Sequence, residues 1–390
     1  MMVLGIFLEY QKGTGIAGVS QGVLVILPLL CLVILTPLLS VPIKLDGYFE
    51  AVNVLLRKLI YQPRKLFAGI TSSLFILSPI LSLGSVRIIH EFLTELKLPP
   101  AVYAKSYLVG FSTAIMWSPY FGSVSLVLYY LEMPVGQYIL YGIGLAFVSL
   151  IVGNIMFALW TKKNQLVQEE HLKVPIGSNH QKQLIKLALF VAGLIIISLV
   201  IEFVTKWSML VIVSLISIAF PIVWGITTNG WKRLYPQWKA FKDISVPALN
   251  NEIMLFTSAG LLGHAIQGTN FAIKLSGYLT MVANKSVLLF ILFVMGIVLI
   301  FTYIGIHQIA VIAALAMQLD PHQLGISTLS LAILLLLSWS ISTVLSPFSG
   351  LNLMVSRFLG WSGVQVGLRA NGAHLTILSV IGIFIILVTL

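Results

Sequence analysis

STAIMWSPYFGSVSLVL (112–128) and STVLSPFSGLNLMVSRFL (342–359) are two versions of one passage. Each carries a Ser-Thr pair, a short apolar run, Ser-Pro-aromatic, and then a glycine among small polar residues. Both lie in long hydrophobic surroundings, where proline, glycine and hydroxyls interrupt a helix and free backbone groups that lipid cannot satisfy. Interrupted backbone at membrane depth is tolerated where protein or a watery cavity encloses it. Two such breaks, one in each half of the chain, are the arrangement of a transport site built from paired halves.

The surrounding composition places the breaks in a membrane. Of 390 residues, 58% are hydrophobic and 9% charged, and the mean hydropathy is +1.02, which excludes an ordinary soluble domain. Runs at 22–41, 134–160, 185–204, 207–225 and 284–304 each reach about 20 residues, enough to cross a bilayer core as helices. The short alternating segments of a membrane β-barrel are absent. The expected fold class is all-α: a polytopic protein of about 10 transmembrane helices, with the lipid bilayer as its first partner.

The net charge of +11 sits in loops. Lys162, Lys163, Lys173 and Lys182 lie in one polar connection, and Lys232, Arg233, Lys239 and Lys242 in the next. Under the positive-inside rule these connections are cytoplasmic, which accounts for the charge without nucleic acid as a partner. Cys31 is the sole cysteine, so neither an intrachain disulfide nor a cysteine metal cluster can form. The opening MMVLGIFLEYQKGTG lacks the basic start and cleavage site of a secretory signal. It reads either as a short membrane-dipping piece or as the tail of an upstream span.

Counting crossings outward from the basic loops gives an orientation to each break. The run 134–160 crosses inward, the patch Arg57, Lys58, Arg64 and Lys65 is inside, 66–88 crosses outward, and EFLTELKLPP (91–100) is outside. The passage 101–131 then begins and ends outside, as a re-entrant hairpin or an interrupted element. In the second half, 244–268 crosses outward, 284–304 returns, Asp320 and Pro321 lie inside, 326–359 opens from inside, and 373–390 is the last span. The two passages therefore have opposite orientation, as in an inverted repeat. The predicted organisation is a first repeat at 1–160, a cytoplasmic linker at 161–184 and a second, inverted repeat at 185–390. Fainter echoes support it. Gly84 to Pro99-Pro100 parallels Gly305 to Asp320-Pro321, and Val135, Gly136 and Gln137 parallel Gly363, Val364 and Gln365.

A small anion crossing a membrane must exchange water for fixed donors, which helix N-termini and Ser, Thr and Asn side chains supply. A coupling cation needs oxygen ligands, available from hydroxyls and unwound carbonyls. Ser112, Thr113, Ser118 and Ser123 in the first half, with Ser346, Ser349 and Asn352 in the second, are the candidate substrate donors. Pro119 and Pro347 are expected to open the half-helix after each break, and Gly122 and Gly350 to allow close backbone approach. Ser125, Ser342 and Thr343 are the candidate coupling-ion ligands. The competing reading makes all of these small residues packing contacts between helices, and duplication in opposite orientation favours a site.

Ionisable residues offer a relay or a gate. Glu252, after Asn250 and Asn251, either caps the start of its helix or relays a proton or sodium. His264 and His307 either gate, bind, or satisfy a neighbouring helix. Glu132 and Glu202 fall near span boundaries as solvated charge, while Arg357 and Arg369 lie near the inner surface, Arg357 within reach of an anion at the second motif. No paired carboxylates, HExxH, Walker loop or GxSxG occur in a span, so no enzyme and no cofactor is expected beyond Na+ or H+ as coupling ion.

TVLSPFSGLNLMVS resembles the proline-glycine-asparagine passage in the second half of the large membrane subunit of tripartite (TRAP-type) transporters, and STAIMWSPYFGSVSLVL its first-half counterpart. GIHQIAVIAAL and NEIMLFTSAGLLGHAI resemble passages of the broader ion transporter superfamily, which includes dicarboxylate, citrate and arsenite carriers. The resemblance implies an inverted-repeat fold with two re-entrant hairpins and a substrate site between the hairpin tips. It also implies Na+ or H+ coupling and elevator-type movement, in a homodimer or with an accessory membrane subunit. The Ser-Asn-Thr signature of the dicarboxylate carriers is missing, and Ser-Pro stands where tripartite systems carry two prolines, so substrate identity does not carry over. The expectation is a secondary transporter of a small anionic solute in a bacterial inner membrane. A translocase of a lipid or lipid-linked intermediate on the same fold, and a non-transporting scaffold or receptor subunit, are the alternatives.

Overall fold

The computed structural model describes residues 1–96, 98–164 and 178–390. Most of the expected linker at 161–184, Lys173 included, lies outside them. Among the described residues every regular element is helical. The chain opens with α1 (Met2–Gln11) and α2 (Gly15–Leu35), then turns through α3 (Ser40–Leu45) into α4 (Tyr48–Leu59). A closely joined pair comes next, α5 (Pro63–Leu81) and α6 (Leu83–Leu93). After it stand the two pieces of an interrupted helix, α7 (Pro100–Trp117) and α8 (Gly122–Tyr130), and a long return, α9 (Val135–Lys163). α10 (Ser178–Thr205), α11 (Met209–Thr227), α12 (Trp231–Ala240) and α13 (Val246–Ala248) lead to the second half.

That half runs through α14 (Asn250–Ile266), α15 (Asn270–Lys285), the pair α16 (Val287–Tyr303) and α17 (Gln308–Gln318), and the short α18 (Pro321–Leu324). It ends with the interrupted α19 (Thr328–Leu345) and α20 (Gly350–Leu359) and the return α21 (Ala370–Val388). The order pair, interrupted helix, return thus occurs twice. Eight helical stretches among the described residues are long and apolar enough to cross a membrane, and the chain is a multi-pass membrane protein.

Side-chain contacts set the direction of each element. Lys105 near the start of α7 lies 5.9 Å from the ring of Trp160 near the end of α9, while the Tyr138 hydroxyl donates to the Met116 carbonyl at 2.6 Å. α7 and α9 are therefore antiparallel, and Pro100 shares a face with Lys162 and Lys163, the basic face. α5 enters from that same face, because Arg64 Nε donates to Thr161 Oγ1 at 3.3 Å and Phe67 stacks on Phe157 at 4.2 Å. α6 returns to it, where the Tyr103 hydroxyl donates to the Leu93 carbonyl at 2.9 Å and Arg57 pairs with Glu95 at 2.8 Å.

The re-entrant hairpin of the first half is thus α5–α6, and α7–α8 is an interrupted helix that crosses. Residues 91–96 and 98–100 lie on the basic face, contrary to the crossing count. In the second half Ser327 Oγ donates to the Thr389 carbonyl at 2.7 Å, and Lys105 Nζ donates to the Ala370 carbonyl. α21 therefore rises from the basic face, α19 descends from the opposite one, and Asp320 and Pro321 sit on that opposite face. α16–α17 is the second hairpin, its open end closed by α15 through Ser276 Oγ and the Gln318 carbonyl. The physical cause of both corrections is the same. Hairpin arms of 19 residues (α5) and 17 residues (α16) are long enough to pass for crossings, and each one miscounted places the connection after its hairpin on the wrong face and turns the crossing interrupted helix that follows into an apparent re-entrant passage.

The two halves interleave around α7 and α19. These helices run in opposite directions and touch where Ser340 Oγ donates to the Ser112 carbonyl at 3.0 Å. Leu331 to Leu337 of α19 are all fully buried, as expected of a helix apolar on every side and enclosed by protein. α5, α9, α16 and α21 surround this pair, with α2, α14, α10 and α11 outside them.

Candidate functional site: two interrupted helices

Each interruption arises from its proline. A residue before proline is driven out of the helical region, and Ser118 (φ −83, ψ 122) and Ser346 (φ −68, ψ 125) are both extended. Pro119 and Pro347 have no N–H for the carbonyl four residues back, which frees Ile115 O and Thr343 O. The next N–H groups, of Tyr120 and Phe348, turn to the Ser118 and Ser346 hydroxyls at 3.2 Å each, so Met116 O and Val344 O are freed as well. The prolines therefore end the preceding helices. The half-helices beyond them start at Gly122 and Gly350, not at Pro119 and Pro347 as the sequence led us to expect.

A buried carbonyl left bare costs about 1–3 kcal/mol, and each of these four has a donor. Ser123 Oγ covers Ile115 O at 2.8 Å and Ser349 Oγ covers Thr343 O at 2.6 Å. The Tyr138 hydroxyl covers Met116 O, while Asn352 Nδ2 covers Val344 O at 3.1 Å and also reaches Gly363 O at 3.0 Å. A glycine lies against the same carbonyl in both halves. A Cβ at Gly142 would sit 2.7 Å from Met116 O, and one at Gly367 would sit 2.6 Å from Val344 O. Tyr138 and Gly142 come from the return α9 and Gly367 from the turn just before α21, and nothing in the two motifs announced them.

The hairpin tips meet this arrangement. Ser346 Oγ donates to the Thr302 carbonyl near the end of α16 at 2.7 Å, tying the second break to the second tip. Phe348 lies against Gly305, whose φ of +103 turns that tip. The first hairpin reaches the same break: Leu83 packs beside Gly350, and His90 stacks on Phe358 at 4.1 Å. At the first break Phe75 of α5 stacks on Trp117 at 4.9 Å. Trp117 is buried, and its indole N–H has no partner among the described residues.

The other expected residues fall in three places. Ser112 donates to Val109 O, Thr113 to Gly110 O, and Ser342 and Thr343 to Trp339 O, so all four bond back along their own helices. Ser125 donates to Pro119 O at 2.6 Å. His307 stands at the second tip as the N-cap of α17, its Nδ1 accepting from Ile309 N at 3.3 Å. Glu252 is exposed in the first turn of α14, where its charge complements the helix N-terminus. His264 sits away from the breaks, 2.9 Å from the fully buried carboxylate of Glu9, which also takes Thr14 Oγ1 at 2.6 Å and Lys12 Nζ at 3.4 Å. Glu202 is not a solvated boundary charge: its carboxylate accepts from Val135 N and Gly136 N at 3.0 and 3.1 Å, capping α9. A cavity of about 620 Å³ on the face opposite the basic loops has Ser125, Glu132, Glu202 and Lys206 in its wall.

No family model matches the chain, and no curated protein matches it. Among solved structures it is similar to the crystal structure of the Alcanivorax borkumensis YdaH transporter, reported as having an unusual topology. The two share 17% identity and superpose with a TM-score of 0.62 over 94% of this chain and 86% of that one. What they share is the fold, an all-helical membrane-transporter fold, and it does not single out the tripartite or dicarboxylate carriers.

Proposed function

We propose that the chain is a secondary active transporter of a small anionic solute, coupled to Na+ or H+ and working by elevator-type alternating access. The observation that carries this reading is the pairing of two interrupted helices of opposite direction with two hairpin tips that enter from opposite faces. Irregular backbone at membrane depth is tolerated where protein encloses it or where it lines a watery path, and the opposed pairing of breaks and tips supports a path between the faces. In this reading the substrate sits between the tips, drawing on the N-terminal N–H groups of α8 and α20, the Trp117 indole, which has no partner among the described residues, and the hydroxyls of Ser118 and Ser346. Ser125, Ser342 and Thr343 supply oxygens for the coupling ion, exchanging their present carbonyl partners for it. His307 at the second tip is the favoured gate, ahead of Glu252 and His264, which lie on α14. The basic face is cytoplasmic by its lysines and arginines, and the membrane is the bacterial inner membrane.

Purified protein in liposomes is expected to accumulate a labelled anion only when a Na+ or H+ gradient is imposed. Movement independent of any gradient, across a broad anion panel, would sink the proposal. One observation supports a second reading, a translocase of lipid or lipid-linked cargo: the open side of the second break is apolar, with Phe348 and Ile304 exposed. Impaired envelope synthesis on depletion, without a solute-uptake defect, would select that reading instead.

A further inference from the structure

A second polar cavity lies away from the breaks, on the basic face, where the start of α7 and the end of α9 meet the segment before α21. It measures about 300 Å³ and is walled by Lys105, Arg369, Gln365 and the indoles of Trp160 and Trp361. Both charged side chains in the wall are cations, and no carboxylate joins them among the described residues. Lys105 is anchored by the Ala370 carbonyl and lies over the Trp160 ring, so its charge has a fixed place. Arg369 ends a π-helical turn, Gln365–Arg369, and the wider winding there moves its side chain out of the register of α21. The Gln365 side chain is oriented by its own bond, accepting from Ser362 N at 2.8 Å.

The chemistry of this wall is specific. Two cations select a phosphate or another compact anion, and two indoles belong at the boundary between water and hydrocarbon. Leu159 and Leu368, the chain neighbours of Trp160 and Arg369 in the wall, are exposed apolar side chains, as is Ile155 one turn before Leu159 on α9. A free anion has no use for that surface, whereas acyl chains do. We propose that the cavity binds the phosphate headgroup of an anionic phospholipid from the leaflet on the basic face, with the acyl chains lying along α9. Basic pockets between transmembrane helices are suited to such headgroups. A lipid held there bridges α7 and α9, which carry and cover the first break, to the segment holding Gly367 against the second.

The test uses the full chain in neutral detergent, titrated with phosphatidylglycerol, with phosphatidylcholine, and with inorganic phosphate. Phosphatidylglycerol is expected to raise the unfolding temperature saturably, and the other two to leave it unchanged. Arg369→Gln, on an exposed side chain, should keep the lipid-free unfolding temperature and weaken the phosphatidylglycerol effect about fivefold. Trp361→Ala should weaken it too, whereas Lys105→Met also uncovers the Ala370 carbonyl and is read only alongside Arg369→Gln. Equal stabilisation by phosphatidylcholine, a response to phosphate alone, or an undiminished response in Arg369→Gln would each overturn the proposal.

Discussion

The two breaks face the same backbone problem and stand in different surroundings. At the first, Ser118, Pro119 and Tyr120 are buried, and the Tyr120 hydroxyl is held by Ser198 Oγ at 2.6 Å and by the Leu194 carbonyl at 3.0 Å of α10. At the second, Phe348 is 57% exposed and Gly350 is open. The carbonyls freed are equivalent, Ile115 with Thr343 and Met116 with Val344, yet the donors are a serine and a tyrosine on one side and a serine and an asparagine on the other. What is repeated is the geometry that Ser-Pro imposes. How it is satisfied, and whether it opens outward, is set by the helices around it. The first break is clamped by α10, which is not part of the twice-occurring order of pair, interrupted helix and return, while the second is tied to a hairpin tip that enters from the opposite face.

The largest expected effect comes from Asn352→Leu. Asn352 is fully buried and serves two carbonyls and the Ser356 hydroxyl, so its loss should cost about 3 kcal/mol and abolish transport. Thermal unfolding in detergent together with uptake into liposomes measures both. Next come Gly142→Ala and Gly367→Ala, whose new methyl groups would press on equivalent carbonyl oxygens. About 1–3 kcal/mol of destabilisation is expected in each, and a large difference between them would break the equivalence of the two halves. Tyr138→Phe removes one hydroxyl from Met116 O and should cost about 1–2 kcal/mol, less than Asn352→Leu because one carbonyl is bared rather than two. The smallest stability effect is expected for Ser346→Ala, about 1 kcal/mol, since Thr302 belongs to a hairpin tip that the proposed alternating access requires to move. Its signature should be a changed transport rate with the unfolding temperature nearly kept. A large fall in stability would mean that the second break is as rigid as the first.

Much of this was legible in the two motifs. Ser118-Pro119 and Ser346-Pro347 mark the interruptions, and Ser123 and Ser349 prove to be the partners of the carbonyls that the prolines free. The hairpins were less legible, because α5 and α16 have the length and composition of crossings. The faint match of Gly84 with Gly305 was the trace they left, each lying at a hairpin tip. Tyr138 and Gly367 could not be found from the motifs, since they act from other helices across a distance that no local spacing encodes. The same holds for Glu9 and His264, 255 positions apart, whose contact exists only because α1 packs on α14.

If the second break lines a path whose access alternates between the faces, its exposed phenylalanine must change sides. Phe348→Cys in a Cys31→Ala background, labelled with a membrane-impermeant maleimide in vesicles of both orientations, tests this directly. Labelling is expected from one face at rest and from the other when the ion gradient is reversed, while Tyr120→Cys at the clamped first break stays protected throughout. Labelling of Phe348→Cys from the same face under every gradient would contradict the account.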